Sequence, residues 1–224
     1  MNRFDVLTLF PKMFEQVTGD SIIGRACEKN ILEINLINIR DFSENKHKKV
    51  DDYPYGGGMG LVMSAQPIYS AWESTFDKEE KPFTIYMSPQ GKVLNQKLAH
   101  KLAEKTHIVI LCGHYEGVDE RVLEEIVDLE VSIGDYVLTG GEIPAMALID
   151  CVGRLIKGVL PSDEAFLNES HSAGYLEYPQ YTRPEEFHGR KVPEVLISGH
   201  HANIEKWRKE QSELRTRKKR PDLL

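Results

Sequence analysis

Apolar residues gather in this chain in short dense runs separated by longer polar stretches. Phe4–Phe10 is apolar with poor alternation, the pattern of a strand buried on both faces. Phe83-Thr-Ile-Tyr-Met87 and His107-Ile-Val-Ile-Leu-Cys112 repeat that pattern and are rich in β-branched and aromatic residues. Leu32–Ile39 alternates at first, as a half-buried strand does, and Leu129–Ile133 supplies a further short run. Between these runs the periodicity turns helical. Pro11 opens a short helix, Ser21 is placed to cap one over Ile22–Asn30, and Pro67 starts one that continues through Trp72. Asn95–Lys105 carries Leu98 and Leu102 at i, i+4, and Asp119 can cap Glu120–Val127. Pro144–Ile156 is apolar nearly all round, which predicts burial in the core or in a subunit interface. Lys206–Arg220 is helical, with Trp207 and Leu214 on one side and a basic end. Strands alternating with helices predict an α/β domain over residues 1–160, then a linker over 161–183 and a small, mainly helical domain over 184–224.

Three of the apolar runs lead into glycine-bearing segments. Phe83–Met87 runs into Ser88-Pro-Gln-Gly91, and His107–Cys112 runs into Gly113-His-Tyr-Glu-Gly117. The third, Ser132-Ile-Gly-Asp-Tyr-Val-Leu-Thr-Gly-Gly-Glu-Ile143, contains Tyr136-Val-Leu138, short and apolar enough to predict a buried strand. Gly140-Gly141 follows, where bare backbone can approach a ligand, and Pro144 suits the first turn of a helix. If the strands are parallel neighbours, all three segments meet at the carboxyl edge of the sheet, where α/β proteins build ligand crevices. A tight turn with no ligand is the competing reading. None of the three segments carries Lys or Arg. A nucleoside triphosphate would want such cations, so an adenosine ligand without phosphates fits better.

Composition narrows the field. The formal net charge is −7, yet from Arg183 onward 11 Lys and Arg stand against 7 Asp and Glu. That asymmetry points to a local polyanion contact rather than a globally basic binder. Cys27, Cys112 and Cys151 are far apart, with neither disulfide nor metal-ligand spacing. No His grouping makes a metal site, and no apolar run approaches a membrane span. The opening Met-Asn-Arg-Phe-Asp-Val reads as a strand rather than a signal peptide, so a soluble cytoplasmic protein is expected. Gly56-Gly-Gly58 lacks phosphate-loop spacing and follows Asp51-Asp52, which would repel phosphate. It reads either as a hinge or as a substrate-contacting loop.

Several motifs carry a family resemblance. GHYEGVDER at Gly113–Arg121 and SIGDYVLTGGE at Ser132–Glu142 resemble the cofactor loops of bacterial tRNA (guanine-N1)-methyltransferases, members of the SPOUT class of knotted methyltransferases. LTLFP at Leu7–Pro11, DDYPYGGGMG at Asp51–Gly60, YTRP at Tyr181–Pro184 and the terminal RPDLL extend the likeness over essentially the whole chain. The resemblance implies a parallel α/β sheet with helices on both faces and a deep trefoil knot. Periodicity alone would predict an unknotted sheet. It implies methyl transfer from S-adenosylmethionine to N1 of the guanosine at position 37 of tRNA, beside the anticodon, by a homodimer with active sites shared between subunits. Magnesium is associated with the family reaction, although no residue announces a metal site. A knotted methyltransferase with another RNA target and a non-catalytic, RNA-binding sensor of adenosine ligands are the alternatives.

The resemblance distributes roles along the chain. Cofactor contacts fall on Tyr86, Met87, Ser88, Pro89, Gln90 and Gly91 in the first segment, and on Gly113, Tyr115, Glu116, Gly117 and Asp119 in the second. Ser132, Ile133, Gly134, Tyr136, Val137, Leu138, Gly140, Gly141 and Pro144 complete them. Ser170, Arg183, Arg215, Arg217, Lys218, Lys219 and Arg220 are the candidate RNA contacts, the basic end being suited to phosphates. Arg154 would stabilise charge on guanine O6, against a purely structural ion-pair role. The family base is an Asp followed by Ser. Counting back from Tyr181-Thr-Arg-Pro184, the matching residues here are Glu169-Ser-His171. Glu169 keeps the carboxylate and reaches about 1.5 Å further. Asp163, Glu164 and His171 are its rivals.

Overall fold

A computed structural model describes residues 1–77, 80–162, 169–171 and 174–224. The chain divides into two compact units, Met1–Pro161 and Ser162–Leu224.

The first unit opens with β1 (Asn2–Thr8), a 3₁₀ turn at Pro11–Met13, and the helices α1 (Glu15–Gly19) and α2 (Ser21–Glu28). Ser21 does not cap α2. Asp20 precedes the helix with no side-chain cap bond, and its backbone carbonyl takes the Gly24 N–H at 2.9 Å. β2 (Leu32–Asn38) follows, half-buried along most of its length. The polar segment after it contains a two-residue ladder, β3 (Asp51–Asp52) with β4 (Val62–Met63), antiparallel around the glycine run. Then come α3 (Ala65–Glu73), β5 (Phe83–Val93), α4 (Gln96–Ala103) and β6 (His107–Cys112). α5 (Glu120–Ile126), β7 (Leu129–Ser132) and α6 (Glu142–Gly153) complete this unit. The cap read from sequence at Asp119 is present, accepting from the Arg121 N–H at 3.1 Å, and Asn95, read as the first residue of its helix, instead caps α4 by accepting from the Leu98 N–H at 2.9 Å.

The protein is a mixed α/β structure built on a five-stranded sheet in the order β2-β1-β6-β5-β7, every neighbouring pair parallel. Alternation along the strands assigns the two faces. Leu7, Val109, Leu111 and Tyr86 pack with Ile68 and Trp72 of α3 and with Val122, Leu123 and Ile126 of α5. The alternate positions Val6, Ile110 and Cys112 are buried with no exposed surface, and α6, lying against β1 and β6, buries Ala145, Leu148, Ile149 and Val152. The apolar surface of α6 is thus largely used inside its own unit, with Ile143 left half exposed. Trp72 donates its indole N–H to Thr84 Oγ1 at 2.9 Å, satisfying both buried polar groups. Asp5 is fully buried on β1, where Arg3, Asn35 and His107 contact it at 2.9, 2.8 and 2.8 Å. Burial drives its carboxyl upward, but those bonds outweigh burial and hold it below its ordinary value.

Two expectations at the carboxyl edge change. Ser88–Gly91 is not a loop after the strand but an excursion inside β5. Met87 and Lys92 both lie opposite Val131, so the four residues between them bulge out of the ladder. Tyr136-Val-Leu138 is not a buried strand. The three residues are 55%, 82% and 38% exposed, and the backbone folds on itself, with the Tyr136 N–H donating to Gly134 O at 2.9 Å.

In the second unit a hairpin joins β8 (Glu186–Phe187) to β9 (Arg190–Lys191), followed by α7 (Glu194–Ile197) and α8 (His201–Lys219). α8 starts five residues before the helix read from sequence, and Leu214 is 58% exposed rather than packed beside Trp207. The buried side of α8 runs instead through Thr216, whose hydroxyl accepts from the Leu176 N–H at 2.8 Å, and through Ser212, which donates to Leu176 O.

Candidate functional site

β5, β6 and β7 all point their carboxyl ends at one cavity of about 430 Å³. That is the size of a small-molecule site. The β5 bulge contributes Tyr86, Met87, Ser88, Pro89 and Gln90. The segment after β6 contributes Gly113, Tyr115, Glu116 and Gly117, and the one after β7 contributes Ser132, Ile133, Gly134, Tyr136, Val137, Leu138, Gly140, Gly141 and Pro144. Residues more than fifty positions apart are thus brought together as the spacing of motifs and strands implied.

Two cofactor candidates lie outside this lining. Gly91 has a packing role: a Cβ there would sit 2.5 Å from the backbone of Glu130 and Val131, so glycine is what lets the bulge return to β7. Asp119 caps α5 and is gripped by Arg121, with contacts of 2.9 and 2.7 Å. That guanidinium holds the Asp119 carboxyl below the usual carboxylate range. The lining also holds residues that motif reading passed over, among them His114, Glu120, Glu130 and Thr139. Neighbourhood in the sequence could have suggested His114 and Thr139. Glu120 likewise follows Asp119 within the quoted motif, whereas Glu130 enters only because β7 pairs with β5.

The lining is electrostatically one-sided. Among the described residues it includes Glu116, Glu120 and Glu130 and no Lys or Arg. Burial, with Glu130 and Glu120 behind it, pushes the Tyr86 phenol up to about 12. The cavity is therefore suited to a neutral or cationic guest and hostile to phosphates.

Glycine makes the close approaches possible. A Cβ on Gly141 would lie 2.7 Å from Cys112 Cα and 2.9 Å from Gly113 N, and the Gly141 N–H donates to Gly113 O at 2.9 Å. The two loops are thus joined backbone to backbone with no room for a side chain. The 113–117 loop is also held from below, because Met63 N–H donates to Gly117 O at 2.9 Å and Glu116 N–H to Leu61 O at 3.0 Å. This places the glycine run of Gly56–Gly60 beside the cavity: a Cβ on Gly60, at φ +87°, would strike the Glu116 side chain at 2.5 Å. Tyr55, just before that run, and Met59 within it are 99% and 91% exposed.

The remaining candidates sit elsewhere. Arg154 caps the end of α6, in the same unit as the cavity but outside its lining. Glu169 and Ser170 belong to the second unit, where Ser170 Oγ accepts from the Glu177 N–H at 3.0 Å. Asp163 and Glu164 lie outside the described residues. Arg183, Arg217, Lys218 and Lys219 are exposed, Arg215 is half-buried, and Arg220 is paired with Asp222 at 2.6 Å. Among the described residues no cluster of three or more His, Cys, Asp or Glu could hold a metal ion, and no helix is long and apolar enough to cross a membrane.

Comparison with known proteins fits this geometry. The model of the family described as tRNA (Guanine-1)-methyltransferase TrmD matches residues 2–224. A tRNA (guanine-N(1)-)-methyltransferase of Ruminiclostridium cellulolyticum is 64% identical over 222 residues, covering 99% of this chain and 95% of its own. Proteins of the same name from Alkaliphilus oremlandii and Clostridioides difficile are 59% and 54% identical, covering 98% and 99% of this chain and 90% and 96% of theirs.

Proposed function

The chain belongs to the tRNA (guanine-1)-methyltransferase family, and from that premise we propose that its cavity holds S-adenosylmethionine beside a tRNA guanosine. The enzyme methylates N1 of the guanosine at position 37 of tRNA. The observation that carries the cofactor reading is the cavity itself: three loops of bare backbone around about 430 Å³, with three carboxylates and, among the described residues, no Lys or Arg in the lining. Backbone groups of the Ser132–Leu138 loop suit the edge of an adenine, and Pro89, Ile133 and Leu138 suit its faces. The carboxylates suit a sulfonium. The methyl group of the donor is the chemistry this ligand supplies when bound.

The chain's own residues have to deal with a proton. N1 of neutral guanine bears a hydrogen, so its lone pair becomes a nucleophile only as that proton leaves. Glu169 is the proposed base that receives it, and the Arg154 guanidinium the proposed group that stabilises the negative charge appearing on O6. Arg154 lies outside the lining of the cavity in its own unit, which supports bringing it to the reaction from a second subunit. The working form is accordingly a homodimer with shared sites, its cofactor loops threaded as a deep trefoil knot. Residues 161–183 act as an interdomain linker, and residues 184–224 are the tRNA-binding domain, with Ser170, Arg183 and the basic end of α8 on the RNA. The cytoplasm, where tRNA is matured, is the expected compartment. No residue cluster fits the magnesium of the family reaction among the described residues, and no step here passes through it.

Methylation of tRNA transcripts with the target guanosine present or replaced by adenosine tests this function. Transfer only to the guanosine transcript is expected. Transfer to both would remove the substrate assignment, and transfer to neither would leave a binding module.

A further inference from the structure

Three side chains from three separate segments meet at the cavity wall, and the proposed chemistry uses none of them. Glu142, the first residue of α6, is only 2% exposed, yet both of its carboxylate oxygens are occupied. Oε1 accepts from the Thr8 hydroxyl at 2.8 Å, and Oε2 lies 2.8 Å from His114 Nε2. Thr8 Oγ1 in turn accepts from the Phe10 N–H at 2.9 Å, and the Phe10 ring packs against the His114 ring with centroids 4.9 Å apart. The end of β1, the loop after β6 and the start of α6 are thereby linked by one hydrogen-bonded chain, with the Phe10–His114 ring contact beside it. A carboxylate this deeply buried is tolerated only when satisfied in this way.

This hydrogen-bonded chain sits under the cavity's glycine loop. A Cβ on Gly140 would fall 2.2 Å from His114 Nε2 and 2.6 Å from Glu142 Oε2, so the pair fills the space a side chain would need. The next N–H, that of Gly141, is the one donated to Gly113 O. His114, Gly113, Gly140 and Gly141 line the cavity, and Glu142 does not. Glu142 therefore acts through its neighbours rather than on a ligand.

We infer that the Thr8–Glu142–His114 chain is a positioning device for the methyl donor: it holds the 113–117 loop and the 139–141 backbone at the separation that donor binding needs, before any donor arrives. This rests on the reading that the cavity is the S-adenosylmethionine site. The device works by hydrogen bonding, not by placing charge on the ligand, which separates it from the carboxylates of the lining.

His114→Ala is the discriminating variant, because the His114 side chain is 17% exposed at the cavity and its removal opens into that space rather than leaving a sealed void. The KM for S-adenosylmethionine is expected to rise about ten- to hundredfold, the scale of leaving a buried polar group without its hydrogen-bond partner. kcat should stay within about threefold of the parent, as for a group that orders the ground state, and the KM for tRNA should not move. Amide hydrogen exchange at Gly141 in the ligand-free protein should accelerate in the same variant. Glu142→Gln keeps both bonds, its carbonyl accepting from Thr8 and its amide N–H donating to His114 Nε2, and should stay within about threefold of the parent in every readout. A folded His114→Ala protein with parental KM and parental Gly141 exchange would overturn the inference. So would a loss confined to kcat, which would make His114 a participant in the chemistry, or a Glu142→Gln defect as large as that of His114→Ala, which would make charge the operative property. If the parent fails to bind S-adenosylmethionine while Gly141 exchange still accelerates in His114→Ala, the donor reading falls and the coupling of the two loops stands.

Discussion

The cavity loops of the first unit and the basic end of α8 in the second use polar groups in opposite ways. In the loops, backbone N–H groups and side chains bond inward to one another, and at Gly91, Gly140 and Gly141 a single added carbon has nowhere to go. At the end of α8, Arg217, Lys218 and Lys219 point into solvent at a helix C-terminus, where cations are favourable in any case. The first region does its work by geometry and the second by accumulated charge. Geometry fails abruptly when one atom is misplaced, whereas charge is lost in increments.

That contrast is open to experiment at several strengths. The strongest effect is expected at Glu169, in the second unit. Glu169→Gln should bind S-adenosylmethionine as the parent does yet lose roughly 10²–10⁴-fold in single-turnover methyl transfer, the usual contribution of a positioned base. Glu169→Asp should retain most of the activity. A parental rate in Glu169→Gln together with a loss in His171→Ala would hand the role to His171, a neighbour in the same unit.

Next comes Gly141→Val. Its Cβ would meet Cys112 Cα at 2.7 Å, a backbone atom that cannot step aside. Overpacking of this kind should weaken donor binding by about ten- to hundredfold in calorimetry, with the circular dichroism of the folded protein retained. Unchanged affinity would place the donor elsewhere.

A smaller effect tests whether the sheet beneath the loops obeys the same inward logic. Asp5 has a depressed pKa in the folded protein, so its stabilising contribution is complete above the unfolded value of about 4 and is lost as pH falls through the lowered one. Asp5→Ala should lower stability by about 2 kcal/mol at neutral pH in urea titration, and the difference from the parent should shrink in acid. A difference that does not depend on pH would mean that packing, not the carboxylate, is what Asp5 provides.

The gentlest test is at α8. Neutralising two of Arg217, Lys218 and Lys219 should reduce the slope of log affinity for tRNA against log salt by about 1–2 units. Arg220 should contribute less than its neighbours because Asp222 holds it at 2.6 Å. A slope that does not change would reduce the run to a solvated helix end.

What the sequence determined by itself was whatever depends on local chemistry. β-branched and aromatic runs are strands wherever they pack, so β1, β5 and β6 were legible, and so was the cap Asp119, whose side chain bonds within three residues of itself. The long glycine-bearing motifs likewise named the loops that line the cavity. Tertiary structure decided the rest. Tyr136-Val-Leu138 looks like a core strand because apolarity does not say whether a side chain faces protein or an open cavity. Ser88–Gly91 looks like a loop because the sequence does not show that Val131 will be matched twice. Glu142 reads in sequence only as the end of the glycine-bearing segment before Pro144. It is buried because Thr8 and His114, 134 and 28 positions away, arrive at its two oxygens, and only the parallel stacking of β1 on β6 brings those partners to one place.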